Sequence, residues 1–166
     1  AVEAFVRDLP FSPRAGDEWL KVGPLKIIAD GGILAGTSFM RDPYGLSARA
    51  LYGVEDPQYR GFLTLTREQI AAAVEAGAAR GWQMAAHVTG DAGVDAVLDG
   101  FEAAQASHPS PDPRHTLIHA YFASAETAAR AAVASARSRR EVANDHLERA
   151  KVLLPKEIIS QAVYDT

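Results

Sequence analysis

The sequence predicts an α/β fold built on a parallel sheet, followed by a long C-terminal helix. Three observations carry that reading. Short apolar runs alternate with helical patterns between residues 25 and 119. Those runs are too apolar to belong to strands with one face in water, which favours parallel pairing with right-handed crossovers. Glycine and proline, frequent up to Ser124, are both absent from Ala125 to Leu154.

The 166 residues are 48% hydrophobic and 23% charged, a globular rather than a disordered balance, and enough chain to bury a core without disulfides. Lys and Arg number 17 against 21 acids, a net charge of −4 that speaks against a general nucleic-acid binder. Zero cysteines exclude a disulfide scaffold, a thiolate metal site and a cysteine nucleophile. No run of 18 apolar residues occurs, so no membrane-spanning segment is expected. The chain opens on Ala1 with no signal-peptide pattern after it and is expected to be a processed, excised or engineered form.

The elements follow in order. Leu25 to Ala29 reads as a buried strand ended by Asp30-Gly31-Gly32, and a long loop rich in Gly, Pro and Tyr runs on to about Leu65. Thr66 with Gln69 three positions on has capping-box spacing and opens a helix whose Ile70, Ala73, Val74 and Ala78 share a face. Gly81 stops it, and Trp82 to Ala86 reads as a second strand. Asp91 is expected to cap the next helix, with Val94, Val97, Leu98, Phe101 and Ala104 as its apolar stripe. The connection from His108 to Pro113 leads to a third strand, Thr116 to His119. Charge divides the chain as well: residues 1–124 carry 10 basic and 15 acidic side chains, residues 125–166 carry 7 and 6.

From Ser124, a good N-cap, the second segment is one breaker-free helical pattern. Val133, Arg140, Leu147 and Leu154 recur every seven residues, interleaved by Ala136, Ala143 and Ala150, as in a helix that lies against another helix. Its length would be about 45 Å at roughly 1.5 Å per residue. Pro155 ends it and Ser160 can cap a further helix. Residues 125–154 are therefore expected either to self-associate with the same helix of a second chain or to lie across the exposed edge of the α/β part.

In parallel sheets functional groups gather where strands end. His87 ends the second strand and His119 the third, 32 residues apart, so both imidazoles are expected at one mouth. Two neutral imidazoles suit a borderline divalent ion such as Zn2+, although each histidine could equally cap its strand. Lys26, flanked by Leu25, Ile27 and Ile28, is either a side chain emerging at the strand edge or a neutral amine open to modification or base chemistry. Asp30 and Asp91 complete the polar set, Asp91 as a helix cap that could also orient a metal-bound histidine. His108, His115 and His146 read as surface residues, and Arg137, Arg139 and Arg140 as a solvated helix face.

Lys26-Ile27-Ile28-Ala29-Asp30-Gly31-Gly32, then His87-Val88-Thr89-Gly90-Asp91-Ala92-Gly93-Val94-Asp95, then Arg114-His115-Thr116-Leu117-Ile118-His119-Ala120 occur in that order. Together they resemble the metal-dependent amidohydrolase superfamily, in the branch that includes N-substituted formamide deformylase, over about residues 1–123. The resemblance implies a (β/α)8 TIM barrel, represented here by about strands four to six. It also implies hydrolysis of amide and other C–N bonds outside peptides, a small-molecule amide substrate and a cytoplasmic location. Lys26 would be the strand-four lysine that bridges metals once carboxylated, and His87 and His119 the ligands ending strands five and six. The family's strand-one His-x-His pair and its strand-eight aspartate have no counterpart, and a complete barrel needs about 250 residues. An incomplete hydrolase holding its metal weakly is therefore expected.

Asn144-Asp145-His146-Leu147-Glu148-Arg149-Ala150-Lys151-Val152-Leu153-Leu154-Pro155-Lys156 and Ile159 to Asp165 resemble something else, the helical hairpin of efflux-pump periplasmic adaptor (membrane fusion) proteins. This likeness covers about residues 130–166 and implies a periplasmic setting for that part. The expected division is thus 1–123, an α/β segment, and 124–166, a helical tail. The competing functional reading is a non-catalytic helical scaffold that carries the α/β part as a passenger.

Overall fold

The computed structural model describes residues 2–133 together with Asn144 and Glu148. Its elements are α1 (Val2–Arg7), β1 (Leu25–Ile28), a 3-10 turn (Ile33–Ala35), α2 (Leu46–Tyr52), α3 (Arg67–Ala78), β2 (Met84–Val88), α4 (Asp91–Ser107) and β3 (Thr116–His119). Residues 125–133 are helical too, and the Ser124 hydroxyl accepts the Thr127 N–H at 3.1 Å as an N-cap. The heptad positions from Ala136 to Leu154, the stop at Pro155, the cap at Ser160, His146 and the Arg137, Arg139 and Arg140 run lie outside the described residues.

The strands form one parallel sheet in the order β1-β2-β3, with Ile28 opposite His87 and Val88 opposite His119. Among the described residues the sheet has three strands and does not close into a barrel. One face is covered by α3 and α4, which pack on each other and on β2. The core there is Ile70 and Val74 from α3, Met84, Ala86 and Val88 from β2, and Val94, Val97, Leu98 and Phe101 from α4. These are the stripes that helical and strand periodicity predict. The other face carries Lys26, Ile28 and His119, all exposed, with half-buried His87 and Ile118 between them.

The capping box at α3 forms as expected: Thr66 Oγ1 accepts the Gln69 N–H at 3.2 Å and Gln69 Oε1 accepts the Thr66 N–H at 2.9 Å. The start of β2 is corrected by two residues. Trp82, expected to begin the strand, gives its N–H to the Gly77 carbonyl at 3.0 Å and so belongs to the closing turn of α3. The cap of α4 is corrected as well. Gly90, with an extended backbone, is the N-cap and Asp91 is the first helical residue; a Cβ at Gly90 would overlap the Phe39 backbone, so the position takes glycine. The stretch up to Leu65, expected as a loop, contains a 3-10 turn and helix α2. Helix α2 turns its Leu46 and Leu51 outward, 91% and 70% exposed, so it shows no buried stripe to read. The loop has a small core of its own, with the Tyr44 ring 5.9 Å from Tyr52 and 5.6 Å from Tyr59.

His115 is not the surface residue its loop context suggested. Its Nδ1 accepts the Met84 N–H at 3.1 Å and its ring lies 4.9 Å from Phe101. Burial pushes its pKa below the ordinary histidine value of 6.5. A histidine whose folded pKa is depressed contributes stability that is complete above the unfolded pKa and is lost as pH falls below it toward the folded one. Urea midpoints are therefore expected to drop between pH 7 and pH 5. His115→Asn keeps an acceptor near Nδ1 without titrating, and should flatten that slope. An unchanged slope in the variant would assign the pH dependence elsewhere.

Candidate metal and catalytic site

His87 and His119 meet at the C-terminal edge of the sheet, with ring centroids 4.8 Å apart and planes at 78°. Register alone would not bring them together. His119 pairs with Val88, which faces the helices, whereas His87 pairs with Ile118 on the open face. His119 and Ala120 both take positive φ, +78° and +47°, and this left-handed turn redirects the chain where the rings meet. Such a conformation costs a non-glycine residue about 1–2 kcal/mol and is stored where the surroundings hold it. Tyr121, two residues on, stacks on His119 at 5.4 Å. Tyr121 directly follows the third motif, and nothing else in the sequence singles it out.

His87 Nε2 lies 3.0 Å from the Gly31 carbonyl oxygen. A carbonyl only accepts, so Nε2 carries a proton, and the neutral form of the ring then has its lone pair on Nδ1. Lys26 is exposed on β1, two residues before the Ile28 that pairs with His87. That offset is about 7 Å along the strand, roughly the length of a lysine side chain on the same face. Exposure on the open face is compatible with both of its sequence readings, an outward side chain and an amine open to modification. Two imidazoles suit a borderline divalent cation by donor type, whereas the Lys26 ammonium has no lone pair and would join them only once carboxylated. Among the described residues no three His, Asp or Glu side chains converge on one point.

The two aspartates lie apart from the imidazoles in role. Asp30 is fully buried just past β1, and its carboxylate accepts N–H groups from Thr89 (2.8 Å), Gly90 (2.8 Å) and Phe39 (3.0 Å). It ties the ends of β1 and β2 to the following loop. Asp91 accepts the N–H groups of Arg41 and Ala92, both at 2.8 Å. His87 instead meets the Gly31 carbonyl oxygen.

A separate cleft of about 350 Å³ is lined by Arg41, Arg67, Asp95, Asp99, Glu126, Thr127 and Arg130. Arg41 pairs with Asp95 at 2.7 Å, and Arg130 with Asp99 at 2.6 Å and Glu102 at 2.8 Å. The hydrogen bond to Glu102 leads the causes that raise the Arg130 pKa above the ordinary arginine value. None of Lys26, His87 and His119 lines this cleft, which staples the loop and the 125–133 helix to α4. Nothing in the sequence announces these pairs, because their partners lie 28 to 54 residues apart.

The model of the Amidohydrolase family matches residues 3–154. A protein named "Putative amidohydrolase YtcJ", from Bacillus subtilis (strain 168), is 29% identical over 115 residues, 69% of this chain and 19% of the relative. Two solved structures share the fold. An uncharacterized metal-dependent hydrolase from Pyrococcus furiosus matches with a TM-score of 0.58 and 23% identity over 78% of this chain and 24% of its own. Another from Pyrococcus horikoshii OT3 matches with a TM-score of 0.57 and 24% identity, over 78% and 22%. The chain spans about a fifth to a quarter of the length of these relatives. With most of its length matched, and with three motif segments set at the ends of adjacent parallel strands, the chain belongs to the amidohydrolase family.

Proposed function

We propose that this chain provides part of the metal-binding wall of a hydrolase that cleaves C–N bonds of small-molecule amides outside peptides. The observation that carries the reading is the meeting of the His87 and His119 rings at the ends of adjacent parallel strands, within a chain of this family. Lys26, His87 and His119 would hold the cation, Zn2+ by donor type, with Lys26 contributing after carboxylation. The chemistry such a cation supplies when bound is polarisation of the amide carbonyl and activation of a water. His87 is prepared for that task by its Nε2–H contact to Gly31, which presents the Nδ1 lone pair. Asp30 supports it at one remove by fixing the backbone of the strand ends. The three strands would stand for about strands four to six of a (β/α)8 barrel, and the 1–123 and 124–166 division belongs to the same proposal.

The test is calorimetric titration of the full chain with Zn2+. Stoichiometric but weak binding is expected, because three donors make an open shell. His87→Ala and His119→Ala should each weaken it about tenfold or more, about 1.4 kcal/mol. Binding that is tight and indifferent to both substitutions would defeat the assignment. Amide hydrolysis with added Zn2+ then tests the reaction class separately.

A further inference from the structure

The His87 partner is a peptide plane between two glycines, Gly31 and Gly32. Glycine turns more freely than any other residue, so this plane needs outside contacts to hold one orientation. Two threonine hydroxyls grip it from its two ends. On one side Thr37 Oγ1 accepts the Gly32 N–H at 3.0 Å. On the other, Thr89 Oγ1 lies 2.8 Å from the Gly31 carbonyl oxygen. The Gly32 N–H and the Gly31 C=O belong to the same peptide unit. Gly31 is itself required there, since a Cβ would overlap the Thr37 hydroxyl.

Thr89 is 2% exposed and carries a single hydroxyl hydrogen for several neighbours. The carbonyl oxygen of Gly31 can only accept, so a 2.8 Å approach between two oxygens is favourable only with the Thr89 hydrogen between them. The Ser38 hydroxyl, fully buried and 2.7 Å from Thr89 Oγ1, then donates into Thr89. The Asp30 oxygens stand farther off, both at 3.3 Å. A directed chain results, from Ser38 through Thr89 to the Gly31 carbonyl, which also receives the His87 Nε2–H.

We propose that Thr89 is a positioning residue: with Thr37 it clamps the Gly31–Gly32 peptide, and through that carbonyl it holds the His87 ring against His119. This rests on the reading of His87 as a ligand only for its effect on the cation; the ring position is a property of the protein without metal.

The test uses the full chain and three variants, Thr89→Val, Thr89→Ser and Thr37→Val. In metal-free protein, proton NMR should show cross-relaxation between the His87 and His119 rings. That signal is expected to be lost or strongly weakened in Thr89→Val and restored in Thr89→Ser, which keeps the hydroxyl. Thr37→Val approaches the same plane from its other end and should weaken the signal if Thr89→Val does not fold. Zn2+ titration should show about a tenfold or greater loss of affinity in Thr89→Val, the scale on which outer supports of metal ligands act. A Thr89→Val protein that folds and keeps the ring signal at wild-type strength would overturn the proposal. If the ring signal responds as expected while Zn2+ binding ignores both Thr89→Val and His87→Ala, the clamp stands and the metal assignment fails.

Discussion

Asp30→Ala is expected to lower the unfolding free energy by about 3–6 kcal/mol. The carboxylate is fully buried and accepts three backbone N–H groups, from Phe39, Thr89 and Gly90. Alanine leaves all three donors unpaired in a space that water does not reach, and each unmet buried group costs about 1–3 kcal/mol. Typical domains are stable by only about 5–15 kcal/mol, so the variant should sit near its folding threshold. Asp30→Asn is a sharper probe. Its amide offers one acceptor oxygen where Asp30 uses both, so at least one N–H must face an NH2 group. Equilibrium urea unfolding of both variants checks this. A loss below about 1 kcal/mol for Asp30→Ala would show that solvent or backbone movement satisfies those groups.

How much of this was legible beforehand depends on the distance over which each feature is encoded. The capping box at Thr66 and the stripes of α3 and α4 are local patterns, and they appear at the predicted positions. The parallel order of β1, β2 and β3 was readable because each strand is an apolar run separated by a helix. Helix α2 was not, since its large residues Leu46 and Leu51 point outward and only Ala48 is buried. The approach of His87 to His119 was expected from the one-repeat spacing, yet strand register by itself separates them onto opposite faces. The left-handed turn at His119 and Ala120 resolves that conflict, and no glycine marks it in the sequence. Asp30 stands out in the sequence as a polar residue after a strand, but its partners come from positions 39, 89 and 90. Only the folded chain assembles such a set.

Space tests the same hub by a different route. Gly90→Ala is expected to cost about 3 kcal/mol, although the Gly90 backbone, with φ −81° and ψ 152°, is open to any residue. The obstacle is the Phe39 backbone, which lies where the new Cβ must go. Relieving the overlap moves the segment around Phe39 away from the start of α4. That segment supplies the Phe39 N–H to Asp30 and the Phe39 carbonyl to the Gly93 N–H at 3.1 Å, so both bonds are lost with it. Because Asp30→Ala removes one of those bonds already, the two substitutions are coupled. The double variant should lose at least about 1 kcal/mol less than the sum of the single losses, within the range seen for residues that share partners. Gly32→Ala is the control: nothing lies within 4 Å of its Cβ and its backbone is extended, so its change should stay within about 0.5 kcal/mol or be slightly stabilising. Strict additivity of Asp30→Ala and Gly90→Ala in urea unfolding would mean that the carboxylate and the close backbone approach stabilise the strand ends independently. Coupling means that the buried carboxylate and the bare Cα of Gly90 are two requirements of one joint, the one that carries the Gly31 carbonyl to His87.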